Sequence, residues 1–248
     1  MPSILFVFTS AANTLTGEPT GWYLPEAAHP YYVLAPHAKI DFAAPKGPNP
    51  PLDQASVDAY KGDEECIKFL ADETVKEKLT NAKLLTDVKV SDYDAIFYPG
   101  GWGPVLDLAF DPINAKLASD FWTAGKLVAS VCHGPAALVD AVDADGKSIF
   151  AGRNFTGFSD AEEEYLGTTK VSRLFFVSLP CDLCDNHMVR TLQRAPFLLE
   201  DKIISLGGSF TKADKLFGSH VVVDGRLITG QNPSSATDTG KAILKALE

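Results

Sequence analysis

Several features are scarce in this chain of 248 residues. No apolar run approaches the roughly 18 residues that a membrane span needs. The opening stretch, Met1-Pro2-Ser3-Ile4-Leu5-Phe6-Val7-Phe8, has no basic segment ahead of its apolar residues, so it reads as a buried strand and not as a secretory signal. Basic residues are few: 22 Lys and Arg stand against 32 Asp and Glu, and they form no run. The net charge of -10 repels a phosphate backbone and argues against nucleic acid as the main partner. Only four cysteines occur, Cys66, Cys132, Cys181 and Cys184. Without a secretory signal they do not suggest a disulfide framework, and the cytoplasm is the expected compartment, with the nucleus as a second one. There is no internal repeat and no linker that would divide the chain. A hydrophobic content of 46% is enough for a core, which excludes a disordered chain.

What is present is alternation. Short apolar strands are expected at 4–8, 39–43, 95–98 and 127–131, with shorter ones near Phe150–Phe155 and His220–Val223. Helical patterns fit between them, at Asp63–Leu79, Ile113–Ala124 and Ser234–Leu247. Asp224-Gly225 between two β-branched runs predicts a hairpin. Strand and helix in alternation predict one α/β domain over 1–248, built on a parallel sheet covered by helices.

The strongest chemical signal is Ala129-Ser130-Val131-Cys132-His133-Gly134-Pro135. A buried strand runs into a reactive side chain, Gly134 permits a tight turn, and Pro135 suits the first turn of a helix. That is the layout of a nucleophile elbow, with cysteine as the nucleophile. A helix N-terminus there favours the thiolate; the plainer reading is a buried structural cysteine. Pro99-Gly100-Gly101-Trp102-Gly103-Pro104 also follows a strand, so both turns lie where α/β sheets bind ligands. Its glycines let backbone N–H groups approach an oxyanion, although most glycine-rich turns are only turns. Glu26 could exchange a proton with the thiol, but alone it reads as a solvated helix charge. The run Glu162-Glu163-Glu164 likewise reads as a solvated face. His133 adjoins the nucleophile, and its role as base depends on geometry.

At these residues the chain resembles the PfpI superfamily, the group containing the parkinsonism-associated deglycase, and within it the fungal glutathione-independent glyoxalase III branch, also described as heat-shock chaperones. The resemblance rests on Glu26-Ala27-Ala28-His29-Pro30, Tyr98-Pro99-Gly100-Gly101, Val131-Cys132-His133-Gly134-Pro135, Thr156-Gly157-Phe158-Ser159 with the glutamates after it, and Thr229-Gly230-Gln231-Asn232-Pro233-Ser234-Ser235-Ala236. It implies a flavodoxin-like three-layer sandwich, with helices on both faces of a mostly parallel sheet, as in class I glutamine amidotransferases. It implies a Cys–His–Glu triad of Cys132, His133 and Glu164, with Glu163 as the runner-up, and a helical Glu26 bonded to the thiol. Gly101 and the His133 amide are the implied oxyanion donors. Trp102 stands where relatives usually carry histidine, which reshapes the substrate pocket. The implied activity is a lyase of the D-lactate dehydratase type, taking a small 2-oxoaldehyde, methylglyoxal, to D-lactate with no cofactor, glutathione or metal. A homodimer is implied as well. Two alternatives share the elbow: a stress-protective holdase whose Cys132 senses oxidants, and a cysteine peptidase or amidase.

One segment, 171–193, fits none of this. In relatives a stretch like Thr169-Lys170 runs almost directly into one like Pro196-Phe197-Leu198-Leu199. Val171-Ser172 can be encoded by a splice-donor consensus and Gln193 by a codon that ends like an acceptor, so the segment reads as a retained intron. The plainer reading is a surface insertion, with Phe175 and Phe176 weakly buried. Cys181-Asp182-Leu183-Cys184 with His187 offers three zinc ligands but names no fourth, and no strand and helix frame a redox pair.

Overall fold

The structure is a computed structural model that describes residues 1–167 and 195–248. The segment 171–193, with its cysteines, His187 and the two phenylalanines, lies outside the described residues.

Nine strands are present among the described residues: β1 (Ser3–Val7), β2 (Lys39–Ala44), β3 (Lys83–Leu84), β4 (Ala95–Tyr98), β5 (Leu127–Val131), β6 (Asn154–Phe155), β7 (Ser209–Phe210), β8 (Val221–Asp224) and β9 (Leu227–Gly230). The helices are α1 (Leu24–Leu34), α2 (Gln54–Ala59), α3 (Glu64–Ala71), α4 (Glu73–Thr80), α5 (Gly103–Leu106), α6 (Pro112–Thr123), α7 (Asp160–Tyr165), α8 (Leu199–Ser205) and α9 (Ala236–Ala246). Seven strands form one sheet in the order β3-β2-β1-β4-β5-β9-β8. All its pairs are parallel except the edge pair β8–β9, the hairpin expected at Asp224-Gly225.

Every residue of β4 and β5 is buried, as are Ile4–Val7 of β1. A strand buried on both pleats must be covered on both faces, which is why these runs are continuously apolar. The connections explain the cover. From β1 the chain crosses through α1 toward β2 at one side; from β4 it crosses through α6 toward β5 at the other. Two right-handed crossovers in opposite directions place their helices on opposite faces. Helix α9 then packs along α1 and over β5 and β9. The outcome is the flavodoxin-like three-layer α/β sandwich expected from the sequence.

Three local expectations are corrected. Asp63–Leu79 is two helices, because Asp72 takes an extended backbone and caps α4 through the amides of Thr74 and Val75. The strand near Phe150–Phe155 shrinks to β6, which pairs only with β7 in a small separate sheet. The stretch after Cys132 is a five-residue 3-10 turn, Gly134–Leu138, and not an α-helix.

The sheet order reverses between β1 and β4, each of which starts a crossover in the opposite direction. The carboxyl ends of these strands and of β5 therefore splay a crevice open, where doubly wound sheets bind ligands.

Candidate active site

Cys132 sits at the end of β5 with φ of +59°, a left-handed conformation that a side chain other than glycine rarely takes. The surroundings hold it there. Its amide donates to the Gly230 carbonyl at 2.9 Å, and its carbonyl accepts from the Phe158 amide at 2.9 Å. Strain of this kind at a strand-to-turn junction is what a nucleophile elbow stores. Cys132 is only 4% exposed.

Around the sulfur stand the groups of a proton-transfer site. His133 Nδ1 lies 3.5 Å from Cys132 Sγ, and His133 Nε2 lies 2.7 Å from Glu163 Oε1. The imidazole is clamped between two rings, Trp102 and Phe158, each centred 4.6 Å away and tilted by about 30°. Glu26, on the first turn of α1, is wholly buried and accepts from the Gly100 amide at 2.8 Å through Oε2. Its Oε1 is buried without a well-aligned partner. Gly100 cannot be another residue: a Cβ there would come within 2.6 Å of Glu26 Oε2 and 2.7 Å of the His133 nitrogen. Gly101, with φ of +89°, turns the chain so that its own amide has no hydrogen-bond partner among the described residues. The His133 amide faces the Cys132 sulfur, where it favours the charged form.

Burial dominates the electrostatics. It pushes the Glu26 carboxyl up to about 8, against the lowering effects of the Cys132 thiol and the Gly100 amide. It also pushes the Cys132 thiol well up, and the nearby Glu26 charge adds to that rise. The expectation of a helix-stabilised thiolate is therefore corrected: a five-residue 3-10 turn offers little dipole, and the enclosed thiol keeps its proton until a partner takes it. The protonated Glu26 carries no charge at neutral pH, which removes the second of those two causes.

The triad assignment is corrected too. Glu164 is exposed, whereas Glu163 is buried against His133. Glu162, expected to be solvated, is fully buried. It closes a capping box with Ser159 and accepts from Asn232 Nδ2 at 2.8 Å. The register follows from that box. Ser159 caps α7 and Glu162 is its third helical residue, so Phe158 before the cap and Glu163 at the fourth position lie on one side of the helix entrance. Both meet at His133. The Ser-x-x-Glu spacing was readable in the sequence and would have fixed Glu163.

The structure thus brings together Cys132, His133, Glu26, Gly101 and Trp102, and leaves Glu164 outside. They line a cavity of about 330 Å³ whose other walls include Tyr23, Asp53, Tyr60, Phe158, Phe217 and Ser234. Of these, Tyr23, Asp53, Tyr60 and Phe217 were not anticipated, since no local motif marks them. The motif Thr229–Ala236 supports the elbow from behind: Thr229 Oγ1 accepts from the Thr156 amide, and Gly230 from Cys132.

The chain matches the DJ-1/PfpI family over residues 25–173, more than half its length. It belongs to that family. Among DJ-1/PfpI proteins it is 28% identical to Glyoxalase 3 of Candida albicans, over all of this chain and 99% of that one. The crystal structure of glyoxalase III from Candida albicans superposes with a TM-score of 0.82 at 25% identity, covering 100% of this chain and 98% of the other. The Rapid Encystment Protein 24 kDa of Francisella tularensis superposes with a TM-score of 0.85 at 32% identity, both chains being covered in full. No helix among the described residues of this DJ-1/PfpI member is long and apolar enough to cross a membrane.

Proposed function

We propose that this protein is a glutathione-independent glyoxalase that isomerises and hydrates methylglyoxal to D-lactate. The observation that carries the reading is the buried chain Cys132–His133–Glu163 with the Glu26 carboxyl also against the thiol. Names of the relatives, Glyoxalase 3 and a glutathione-independent glyoxalase, support the same reading.

The steps follow from the groups in place. The Cys132 sulfur attacks the aldehyde carbon; its proton passes to the new oxygen by way of Glu26 or His133, giving a hemithioacetal. A base then removes the hydrogen from that carbon and returns it to the neighbouring carbonyl carbon through an enediol. Glu26 and His133 both lie beside the sulfur, and an acid near 8 exchanges protons readily at neutral pH. Glu163 fixes the imidazole and stabilises its charged form, as the third member of a triad does. The unpaired Gly101 amide and the His133 amide are available to the oxyanion. The product of the shift is a lactoyl thioester. Water cleaves it, releasing D-lactate and restoring the thiol, so no electrons are gained or lost overall.

The reaction class is that of a lyase of the D-lactate dehydratase type, and the substrate is a small 2-oxoaldehyde. The family resemblance supports a homodimer, which sedimentation velocity reads. The activity is tested by supplying methylglyoxal to the purified protein without glutathione and resolving the lactate enantiomers. D-lactate is expected from the native chain and none from Cys132→Ala.

A further inference from the structure

A second set of ligand-type groups converges away from Cys132, between α1 and α3. His29 Nε2 lies 3.2 and 3.1 Å from the two Asp63 oxygens and 3.8 Å from Cys66 Sγ. One nitrogen, one carboxylate and one thiol fall within 4.8 Å of one another. A single imidazole nitrogen thus faces a hard oxygen and a soft sulfur at once. Ligands around one tetrahedral zinc ion sit about 3.3 Å apart for N and O and about 3.5 Å for N and S. The spacings from the imidazole nitrogen to the oxygen and to the sulfur need to change by only a few tenths of an ångström.

The backbone holds the three groups in place. His29 lies one turn beyond Glu26 on α1, Asp63 caps α3, and Cys66 is the third residue of α3, its amide bonded to Asp63 Oδ1 at 2.8 Å. Cys66 is fully buried, whereas the side chains of His29 and Asp63 are 14% and 30% exposed. An ion could enter from that side, and water could fill a fourth position there. The three residues play no part in the chemistry assigned to Cys132.

We propose that His29, Asp63 and Cys66 form a zinc site with three protein ligands and a fourth position open to water. The donor set selects the metal: sulfur disfavours magnesium and calcium, and imidazole with thiolate suits zinc. Binding replaces the S–H bond of Cys66 by an S–Zn bond and releases the proton to solvent. The ion ties α1, which carries Glu26, to α3.

The test uses the full chain in a Cys132→Ala background, which removes the other buried thiol among the described residues. Metal-stripped protein is titrated with zinc against a chromophoric chelator, and with cobalt, whose thiolate complex absorbs in the near ultraviolet. One equivalent is expected, with the cobalt–thiolate band, and zinc should raise the melting temperature by mass action. Cys66→Ser should lose the band and weaken zinc by more than the roughly 10–100-fold that loss of an outer hydrogen-bond partner costs. Asp63→Asn keeps a good helix cap, so its fold survives while its affinity drops. Cys181→Ser with Cys184→Ser should bind as the parent does. Parent-like binding by Cys66→Ser and Asp63→Asn overturns the proposal. So does binding lost only with Cys181 and Cys184, or a parent that holds no zinc against a micromolar chelator.

Discussion

The Nε2 atom of His133 lies 2.7 Å from Oε1 of Glu163, in a place where neither group is more than a few per cent exposed. An imidazole held at one nitrogen by a buried carboxylate presents its other nitrogen to the thiol in a fixed orientation. The two glutamates on either side do different work. Glu163→Gln is therefore expected to cut kcat/KM by at least about 100-fold, the usual span for a positioned acid or base. Glu164→Gln should stay within about twofold, as exposed substitutions away from a site do. Glu162→Gln should lower the melting temperature by weakening the capping box while sparing the chemistry. Steady-state kinetics with methylglyoxal, beside thermal melts, separates the three. A dead Glu164→Gln with an active Glu163→Gln contradicts this arrangement.

Glu26 gives a prediction in pH. In the fold its carboxyl holds a proton to about 8, whereas the unfolded chain releases it near 4.5. Between these values the folded state binds more protons, so stability from this group is full below the lower value and falls as pH rises through the upper one, by at most about 1.4 kcal/mol per pH unit. Glu26→Gln has no such titration and keeps an acceptor for the Gly100 amide. Calorimetry should show the melting temperature of the variant gaining on the native protein from about pH 5 to about pH 8. A constant difference across that window refutes the buried, proton-holding carboxyl. Activity of the variant should fall by at least about 100-fold, since the proton carrier is gone.

Much of this was legible beforehand. Ile4–Phe8, Ala95–Tyr98 and Leu127–Val131 announce central parallel strands because both of their faces are covered. Cys132 and the paired glycines announce the site because strands in such folds end at the crevice. The resemblance implies Glu164, but a family match cannot tell which of three consecutive helical residues turns inward; the capping residue Ser159 decides that. The helix-stabilised thiolate does not form; a sequence shows which element follows a cysteine, but not how much water the fold leaves around it. Tyr60 and Phe217 reach the cavity from distant loops, a matter of tertiary packing.

Trp102 and Phe158 flank the imidazole, each ring tilted by about 30° to it. Trp102→Ala removes one plane and leaves the ring free to tilt. It should lower kcat by about tenfold or more, as small misplacements of reacting groups do. Trp102→His restores an aromatic plane and should recover most of the loss. Equal kcat in Trp102→Ala and the native protein would show that the clamp has no positioning role.

The segment 171–193 is proposed to be a retained intron in translation. Mass spectrometry of protein isolated from its own cells should then give a peptide joining Lys170 directly to Arg194. Abundant peptides spanning Ser172–Gln193 refute the idea and make the segment a genuine insertion.

The central claim is that Cys132 carries the substrate as a covalent thioester. The most direct measurement mixes the protein with methylglyoxal, without glutathione, quenches in acid within a turnover and maps the peptides by mass. The account predicts an added mass of about 72 Da, one methylglyoxal, on the peptide containing Cys132, which disappears as D-lactate accumulates. Undiminished D-lactate production by Cys132→Ser, with no adduct on the native thiol, would contradict it.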